Sequence, residues 1–346
     1  MGLKLAIVGA TGLVGQQLIS IIDSQRPDLD AVGLYASEAS AGSRLRVLGR
    51  ERPVKALAEC RFNSYDASFF CVGDDLSARY VPHAVSGGCA VVDKSNAFRL
   101  DPQVPLVVAG VNHDTVTAEH HLVANPNCTT IVLTHALAPL HRRFGLEHVF
   151  AATYQSVTGA GRAGAEQLHR ELQAMGVDTT TWRLSRPDPD AIAYNVLPRI
   201  GSIDAQGRAG EEAKLVHESR KILGAPELPI AVHAVRVPVL IGHAIAVTVR
   251  LTAATNAEEI SAAWREAVDV RLLEEGVPTP VSTTGHDQVE VGRLREEPER
   301  PHSWSFFVCG DNLQIGAALN GWRILGVMET LGSVPGFIQR QGAIDA

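Results

Sequence analysis

Two rhythms of apolar and polar residues divide the chain. In the first, the short apolar run Leu5–Val8 leads into GATGLVG. Val14, Leu18, Ile21 and Ile22 follow with the spacing of one helix face. Pro27 closes that helix. AVGLYAS (31–37), ASFFCVG (67–73) and CAVVDKS (89–95) read as further strands, with SARYVPHAVSGG as a crossover helix between the last two. Strand and helix alternating over about 120 residues predict an α/β fold whose first domain is Rossmann-like, with a parallel, doubly wound sheet.

After Cys128 the rhythm changes. TTIVLTHALAPL reads as a helix and HVFAATYQSV (148–157) as a longer strand. Residues 163–176 form a helix with Leu168, Leu172 and Met175 on one face, and a second helix covers about 209–223 after a Pro/Asp-rich loop. IAVHAVRVPVLIGHAIAVTVRLT offers two strands around PVLIGH, and residues 258–268 another helix. This half is expected to be an inserted α+β domain with a mixed, mostly antiparallel sheet. The end, DNLQIGAALNGWRILGVMETLG, is amphipathic and helical and should return to the first domain. The expected division is 1–127 plus 311–346 for the dinucleotide domain and 128–310 for the other.

Composition narrows the function. A 45% hydrophobic and 20% charged chain of 346 residues is an ordinary globular mix of about two domains. A net charge of −7 without a long Lys/Arg run argues against a nucleic-acid surface. No run of 18 apolar residues suggests a membrane span. The opening MGLKLAIVGATGLVG resembles a short signal peptide, but its glycines are regularly placed and no polar cleavage region follows, so a cytoplasmic enzyme is expected. Five cysteines without a C-x-x-C fit neither a disulfide framework nor a zinc ribbon, and the histidines show no ligand spacing, so no metal is expected. Cys71, Cys89 and Cys309 lie in apolar strand-like runs and read as core residues; Cys60 ends a mixed stretch with no clear place.

Two stretches carry candidate chemistry. Gly9, Gly12 and Gly15 form G-x-x-G-x-x-G between a strand and a helix, where glycine permits a tight turn and close approach to a pyrophosphate on a helix N-terminus. The second strand ends in Tyr35-Ala36-Ser37, without the acid that holds a ribose 2′-hydroxyl in NAD sites, although Glu38 lies one step beyond. Ser40 and Arg44 are near enough to serve a 2′-phosphate, so the sequence leans to NADP. The other stretch is ANPNCTT (124–130), which delivers Cys128 to the mouth of a helix. A helix N-terminus favours the thiolate, which is the reactive form of cysteine. An acid/base partner is then needed, and His243, at a strand end after Gly242, is a candidate. Arg236 in an apolar strand calls for a carboxylate partner, from a substrate or from the protein itself. Glu211 and Lys214, three apart on a helix, read by default as a surface pair.

GATGLVG, SNAFR, PNCTT, TYQSVTGAG, RVPVLIGH and DNLQIGAALN occur in the order seen in aspartate-semialdehyde dehydrogenases, and the chain resembles that family over nearly its whole length. N-acetyl-glutamyl-phosphate reductases share the chemistry but carry a Pro-Gly-Cys-Tyr type of cysteine box. The resemblance implies NADP-dependent reduction of L-aspartyl-4-phosphate to the semialdehyde, on the route to lysine (through diaminopimelate), threonine and methionine. Cys128 would be the acyl-accepting nucleophile, His243 the acid/base and Gln155 the residue orienting the covalent intermediate. Arg236 would grip the substrate α-carboxylate and Glu211 its amino group, with Asn127 beside them; Arg99 and Lys214 would bind phosphate. Gly9, Thr11, Gly12, Leu13, Val14, Gly15, Ser37, Ser40, Gly73, Thr158, Gly159, Gly161 and Asn320 form the expected dinucleotide set. The family often reads D-N-S-S-A-F-R where this chain has Lys94 and Asn96, and S-x-R-S-A-G where it has Ala39. The missing arginine weakens the preference for NADP and leaves NAD as the alternative. A homodimer or homotetramer through the second domain is expected, with the strand at 148–157 and the stretch 237–251 as its face.

Overall fold

The first apolar run becomes a strand, β1 (Leu3–Val8), buried at every position but Lys4. The computed structural model describes residues 2–335. The chain divides into two compact units, one running to Pro126 and resuming at Ala317, the other spanning Asn127–Gly316. The expected division lay at 127/128 and 310/311; the units meet at 126/127 and 316/317.

In the first unit, β1 leads through the glycine turn to α1 (Leu13–Gln25), which buries Leu18, Ile19, Ile21 and Ile22. β2 (Leu29–Ala36), β3 (Arg44–Val47), β4 (Arg50–Ala56), β5 (Ala67–Phe70), α2 (Asp74–Ser86), β6 (Ala90–Asp93) and β7 (Leu122–Ala124) follow. The seven-stranded sheet has the order β3-β4-β2-β1-β5-β6-β7. Its pairings are parallel except for β3–β4, an antiparallel hairpin on the edge. Four arginines and a glutamate alternate with few apolar residues in that hairpin, which hides its strand character; Leu48 and Gly49 close it with positive φ at both positions, as the tightest hairpin turn requires. A last helix, Leu319–Thr330, packs on β6 and α1, with Trp322 stacked on Phe69 and donating to Gln25.

The second unit opens with α3 (Cys128–Phe144), almost wholly buried. It continues through β8 (Leu146–Gln155), α4 (Gly161–Ala174), a small hairpin of β9 (Val177–Asp178) and β10 (Arg183–Leu184), α5 (Gly210–Ile222), β11 (Ile230–Arg236), β12 (His243–Leu251), α6 (Ala257–Arg265), β13 (Val270–Leu272), β14 (Val289–Glu296) and β15 (Ser303–Gly310). Six of these strands make a sheet of order β11-β8-β12-β15-β14-β13. β11–β8 and β13–β14 are parallel and the other three pairings antiparallel, the mixed sheet that the sequence predicts. Helices α3, α5 and α6 pack on one face, where Trp264 donates its indole N–H to the Ala136 carbonyl. The other face forms an open concavity lined by Phe150, Ala152, Tyr154, Val232, Ala246 and Phe307.

Strand register decides which side chains meet. Gln155 of β8 pairs with Arg236 of β11 on one side and His243 of β12 on the other. Directly paired residues point to the same face of a sheet. Three polar side chains therefore stand in one row at one end of this sheet, although 81 and 88 positions of sequence, counted from Gln155 to Arg236 and to His243, separate them.

Candidate active site

Cys128 is the first residue of α3, and Asn127 is its N-cap. The Asn127 side-chain oxygen accepts from the Thr129 and Thr130 amides at 2.9 and 3.3 Å, satisfying donors that a helix start leaves unpaired. Two buried carboxylates hold the cap from behind. Glu211 Oε1 accepts from Asn127 Nδ2 at 2.8 Å, and Glu218 Oε2 accepts from the Asn127 backbone amide at 2.7 Å. Both glutamates belong to α5, two turns apart, so one helix face braces the residue before the cysteine.

The row of three faces this thiol. His243 Nε2 lies 3.1 Å from Cys128 Sγ. The Gln155 amide donates to Glu211 Oε1 at 3.1 Å, while its oxygen accepts from Thr153 at 3.0 Å. The Arg236 guanidinium donates to the Ser156 carbonyl. Lys214 stands 3.4 Å from Glu211 Oε2. The default reading of Glu211 and Lys214 as a surface pair does not hold for Glu211, which is only 7% exposed.

Charge in this site follows from burial and neighbours. Burial pushes the His243 imidazole down to about 3, and the Arg236 cation adds to the effect, so the ring is neutral near neutral pH. Burial would raise the Glu211 carboxyl, but Lys214 and the amides of Gln155 and Asn127 outweigh it and hold the group below its usual range. Burial lowers Arg236, against the opposing pull of Cys128 and Glu211.

The imidazole tautomer follows from one hydrogen bond. The Ser156 backbone N–H donates to His243 Nδ1 at 3.1 Å, and the Ser156 hydroxyl oxygen lies 3.2 Å from the same nitrogen. A ring nitrogen that accepts carries no proton, so the neutral ring carries its proton on Nε2, the atom facing the sulfur. His243 is thereby set to donate toward Cys128 and whatever is bonded to it.

The turn after β8 closes over this site. A Cβ at Gly159 would stand 2.8 Å from Arg236 Nη1 and 3.1 Å from His243 Cε1, so only a glycine lets the backbone approach so near. Thr158 is buried and donates to the Leu240 carbonyl at 2.7 Å, and Gly161 starts α4.

The first unit holds the other candidate site. Gly9 has φ +85°, and a Cβ there would fall 2.4 Å from the Cys71 carbonyl. A Cβ at Gly15 would fall 2.3 Å from the Gly9 carbonyl. Gly15 is buried, while Thr11, Gly12, Leu13 and Val14 reach solvent. Gly12 caps α1 without a side-chain bond, and no acid stands in the first turn. This helix start is therefore open to an anion. By contrast α2, which Gly73 caps, carries Asp74 and Asp75 in its first turn and repels one. The glycine turn thus fits the pyrophosphate of a dinucleotide.

Ser37 and Ser40 lie within 3.5 Å of each other in a turn after β2. Arg44 begins β3, paired with Glu51 at 3.1 Å on the surface. Arg99 is buried and donates to the main-chain carbonyls of Asn125 and Lys94. Asn320 donates both amide hydrogens, to Val107 O and Asn125 Oδ1, and accepts from the Ala109 amide. Its side chain is thus engaged inside the unit and ties these segments together, which leaves no amide hydrogen for a dinucleotide.

Sequence reasoning missed Ser156, Glu218 and Asn312. Ser156 and Asn312 sit inside stretches already singled out, TYQSVTGAG and DNLQIGAALN, but a backbone donor and a buried amide leave no compositional trace. Glu218 is seven residues after Glu211, the one regular signal that could have found it. Among the described residues no group of three His, Cys, Asp or Glu could hold a metal ion, and no helix is long and apolar enough to cross a membrane.

Comparison with known proteins matches both units. Residues 4–119 fit the family described as semialdehyde dehydrogenase, NAD binding domain, and residues 137–315 the semialdehyde dehydrogenase, dimerisation domain. The chain is 34% identical to the aspartate-semialdehyde dehydrogenase of Rickettsia conorii over 93% of its own length and 96% of the relative. Against the Bacillus subtilis enzyme of that name it is 33% identical, over 96% and 99%. The crystal structure of aspartate semialdehyde dehydrogenase II from Vibrio cholerae superposes with a TM-score of 0.90 at 32% identity, covering 95% of this chain and 99% of that one. The same Vibrio protein complexed with ASA gives 0.89 over the same shares, again at 32% identity.

Proposed function

The chain belongs to the aspartate-semialdehyde dehydrogenase family of oxidoreductases, and on that premise we propose that it converts L-aspartyl-4-phosphate to L-aspartate 4-semialdehyde and inorganic phosphate through a Cys128 thioester. The observation that carries this reading is the Cys128 Sγ–His243 Nε2 contact of 3.1 Å at the start of α3, with Arg236, Gln155 and Glu211 around it.

Cys128 attacks the acyl carbon as a thiolate, favoured by the amides of the first turn of α3. Phosphate departs toward a cation, and Lys214 on α5 supplies one. Arg236 holds the α-carboxylate, for which its planar pair of donors is suited. Glu211, kept ionised, holds the α-ammonium. Gln155, between Arg236 and His243 in the strand register, orients the acyl group. The reduced nicotinamide, when bound, supplies the hydride that reduces the acyl group. As the thiohemiacetal oxyanion collapses and the carbon–sulfur bond breaks, the bonding pair goes to the sulfur, and the His243 Nε2–H donates a hydrogen bond to the thiolate that re-forms. Run backward, the thioester is cleaved by phosphate in place of water.

The glycine turn, with Thr11, Leu13 and Val14 at its mouth, holds the pyrophosphate, and NADP is the preferred dinucleotide. Ser37, Ser40 and Arg44 support that preference after an acid-free strand end, while Ala39 leaves room for use of NAD. A homodimer forms through the open face of the second sheet, where Phe150 and Tyr154 are exposed at 45% and 38%.

The test is steady-state reduction of NADP with L-aspartate semialdehyde and phosphate, repeated with NAD and with N-acetyl-glutamate semialdehyde. Phosphate-dependent turnover of the aspartate compound, faster with NADP, is the expected result. Turnover of only the N-acetyl compound would move the chain to the reductase reading.

A further inference from the structure

His243 is mounted at two points of the main chain. Ser156 donates its N–H to Nδ1, and Gly242 precedes the ring at a φ of +93°, where a Cβ would stand 2.9 Å from Pro280. Both points end on one side chain. Asn312 Oδ1 accepts from Ser156 Oγ at 3.0 Å and from the Gly242 amide at 2.8 Å. Its Nδ2 donates to Thr158 Oγ1 at 3.1 Å, and Thr158 donates on to the Leu240 carbonyl. Asn312 is 2% exposed, so no water competes for these bonds.

We propose that Asn312 is a positioning residue for the step in which the carbon–sulfur bond breaks: by gripping Ser156 and Gly242 together it holds the Ser156 amide on Nδ1 and keeps the imidazole N–H on Nε2, aimed as a donor at Cys128. Asn312 touches neither the sulfur nor the ring. It acts through the two residues that bracket the ring. A neutral imidazole in water samples both tautomers, and only the Nε2–H form can donate a hydrogen bond to the departing thiolate or its adduct. The charged and titratable groups around the ring are Cys128, Arg236 and Glu211. Replacing a neutral amide by a neutral alkyl group leaves all three in place, so a change in the ring reports the mount and not the field.

The inference rests on the function proposed above, so its test uses a readout that needs no turnover. Full-length protein labelled with nitrogen-15 in its histidines is compared with His243→Asn, which assigns the His243 signals. In the native protein at neutral pH, Nδ1 should give the signal of an acceptor nitrogen and Nε2 that of a protonated one. In Asn312→Leu the two signals should move toward each other as tautomers mix, and kcat should fall by about 10- to 100-fold, the scale of a misplaced catalytic group, with KM little changed. If Asn312→Leu does not fold, Asn312→Ala, which removes the same two grips with a smaller side chain, should show the same shifts. Native-like nitrogen signals and kcat in the folded Asn312→Leu variant, or in Asn312→Ala where it takes that variant's place, would overturn the proposal. A protein inactive on the semialdehyde but with the expected signals and their expected change would refute the proposed function and leave the role of Asn312 standing.

Discussion

The glycine turn and the Cys128 mount do comparable work by opposite means. The turn spans seven consecutive residues, Gly9–Gly15, and its geometry is fixed by atoms that are absent: a Cβ at Gly9 or Gly15 would strike a backbone carbonyl. The mount is fixed by atoms that are present. Asn127, Gln155, Glu211, Glu218, Arg236 and His243 arrive on one loop, two strand ends, the face of α5 and another strand, and they hold one another by hydrogen bonds. A local backbone device can be written in a short motif. A device of long-range side chains exists only once the sheet register is set.

The comparison sharpens under mutation. The largest effect should come from Cys128→Ala, which removes the proposed nucleophile: turnover should drop by at least about 10⁴-fold, while dinucleotide binding, followed by nicotinamide fluorescence, stays near native. Normal turnover in that variant would end the covalent scheme. Next comes Gly15→Ala. Its methyl has no room beside the Gly9 carbonyl, and the expected outcome is weakened dinucleotide binding together with a loss of about 1–3 kcal/mol in denaturant unfolding. The two variants should thus fail oppositely, one in chemistry with binding intact and the other in binding and stability.

Arg236→Leu should chiefly weaken use of the amino-acid substrate, lowering kcat/KM by on the order of 10²-fold, as expected when a charged partner of a buried carboxylate is lost. An unchanged kcat/KM would remove Arg236 from the substrate site. Asn127→Ala takes away a helix cap and the side-chain amide that donates to Glu211, while its backbone N–H still serves Glu218; a stability loss of about 1–3 kcal/mol is expected from those causes.

On the acid side the mount also predicts a pH dependence. Folded His243 binds its proton only near pH 3, whereas the unfolded chain binds it near 6.5. Above about pH 6.5 neither form is protonated and the group has no effect. As pH falls below that value the unfolded state takes up the proton first, so stability is lost, by at most about 1.4 kcal/mol per pH unit, until the folded state also protonates. His243→Asn should flatten the fall in urea stability between pH 6.5 and the acid range; an unchanged slope would show that the ring is not held neutral by its surroundings.

The same contrast explains what could be read from the chain. β1, α1, β2, β5, β6 and the long strand β8 were legible because their apolar periods are clean, as was the change from a parallel to a mixed sheet. The β3–β4 hairpin was not, since Arg44, Arg46, Arg50 and Arg52 break up its apolar pattern on both faces and leave only Leu45, Val47 and Val54 to mark strands. At the site, Cys128, His243, Gln155 and Arg236 were found through residue type and the family motifs. Glu211 was read from its spacing as a surface residue, because spacing does not show which helix face is covered. Ser156 and Asn312 were passed over, because a backbone amide and a buried carboxamide act by position alone. Asn320 shows the converse: a motif residue whose amide hydrogens are engaged in tying its own unit.

The central claim is a covalent intermediate on Cys128 that only phosphate releases. The direct measurement is rapid mixing of the protein with L-aspartate semialdehyde and NADP in phosphate-free buffer, followed at the nicotinamide band. A burst of one reduced nicotinamide per active site, then a stall that added phosphate relieves, is the predicted trace, with no burst from Cys128→Ala. Steady reduction without phosphate, or a burst that survives in Cys128→Ala, would contradict it.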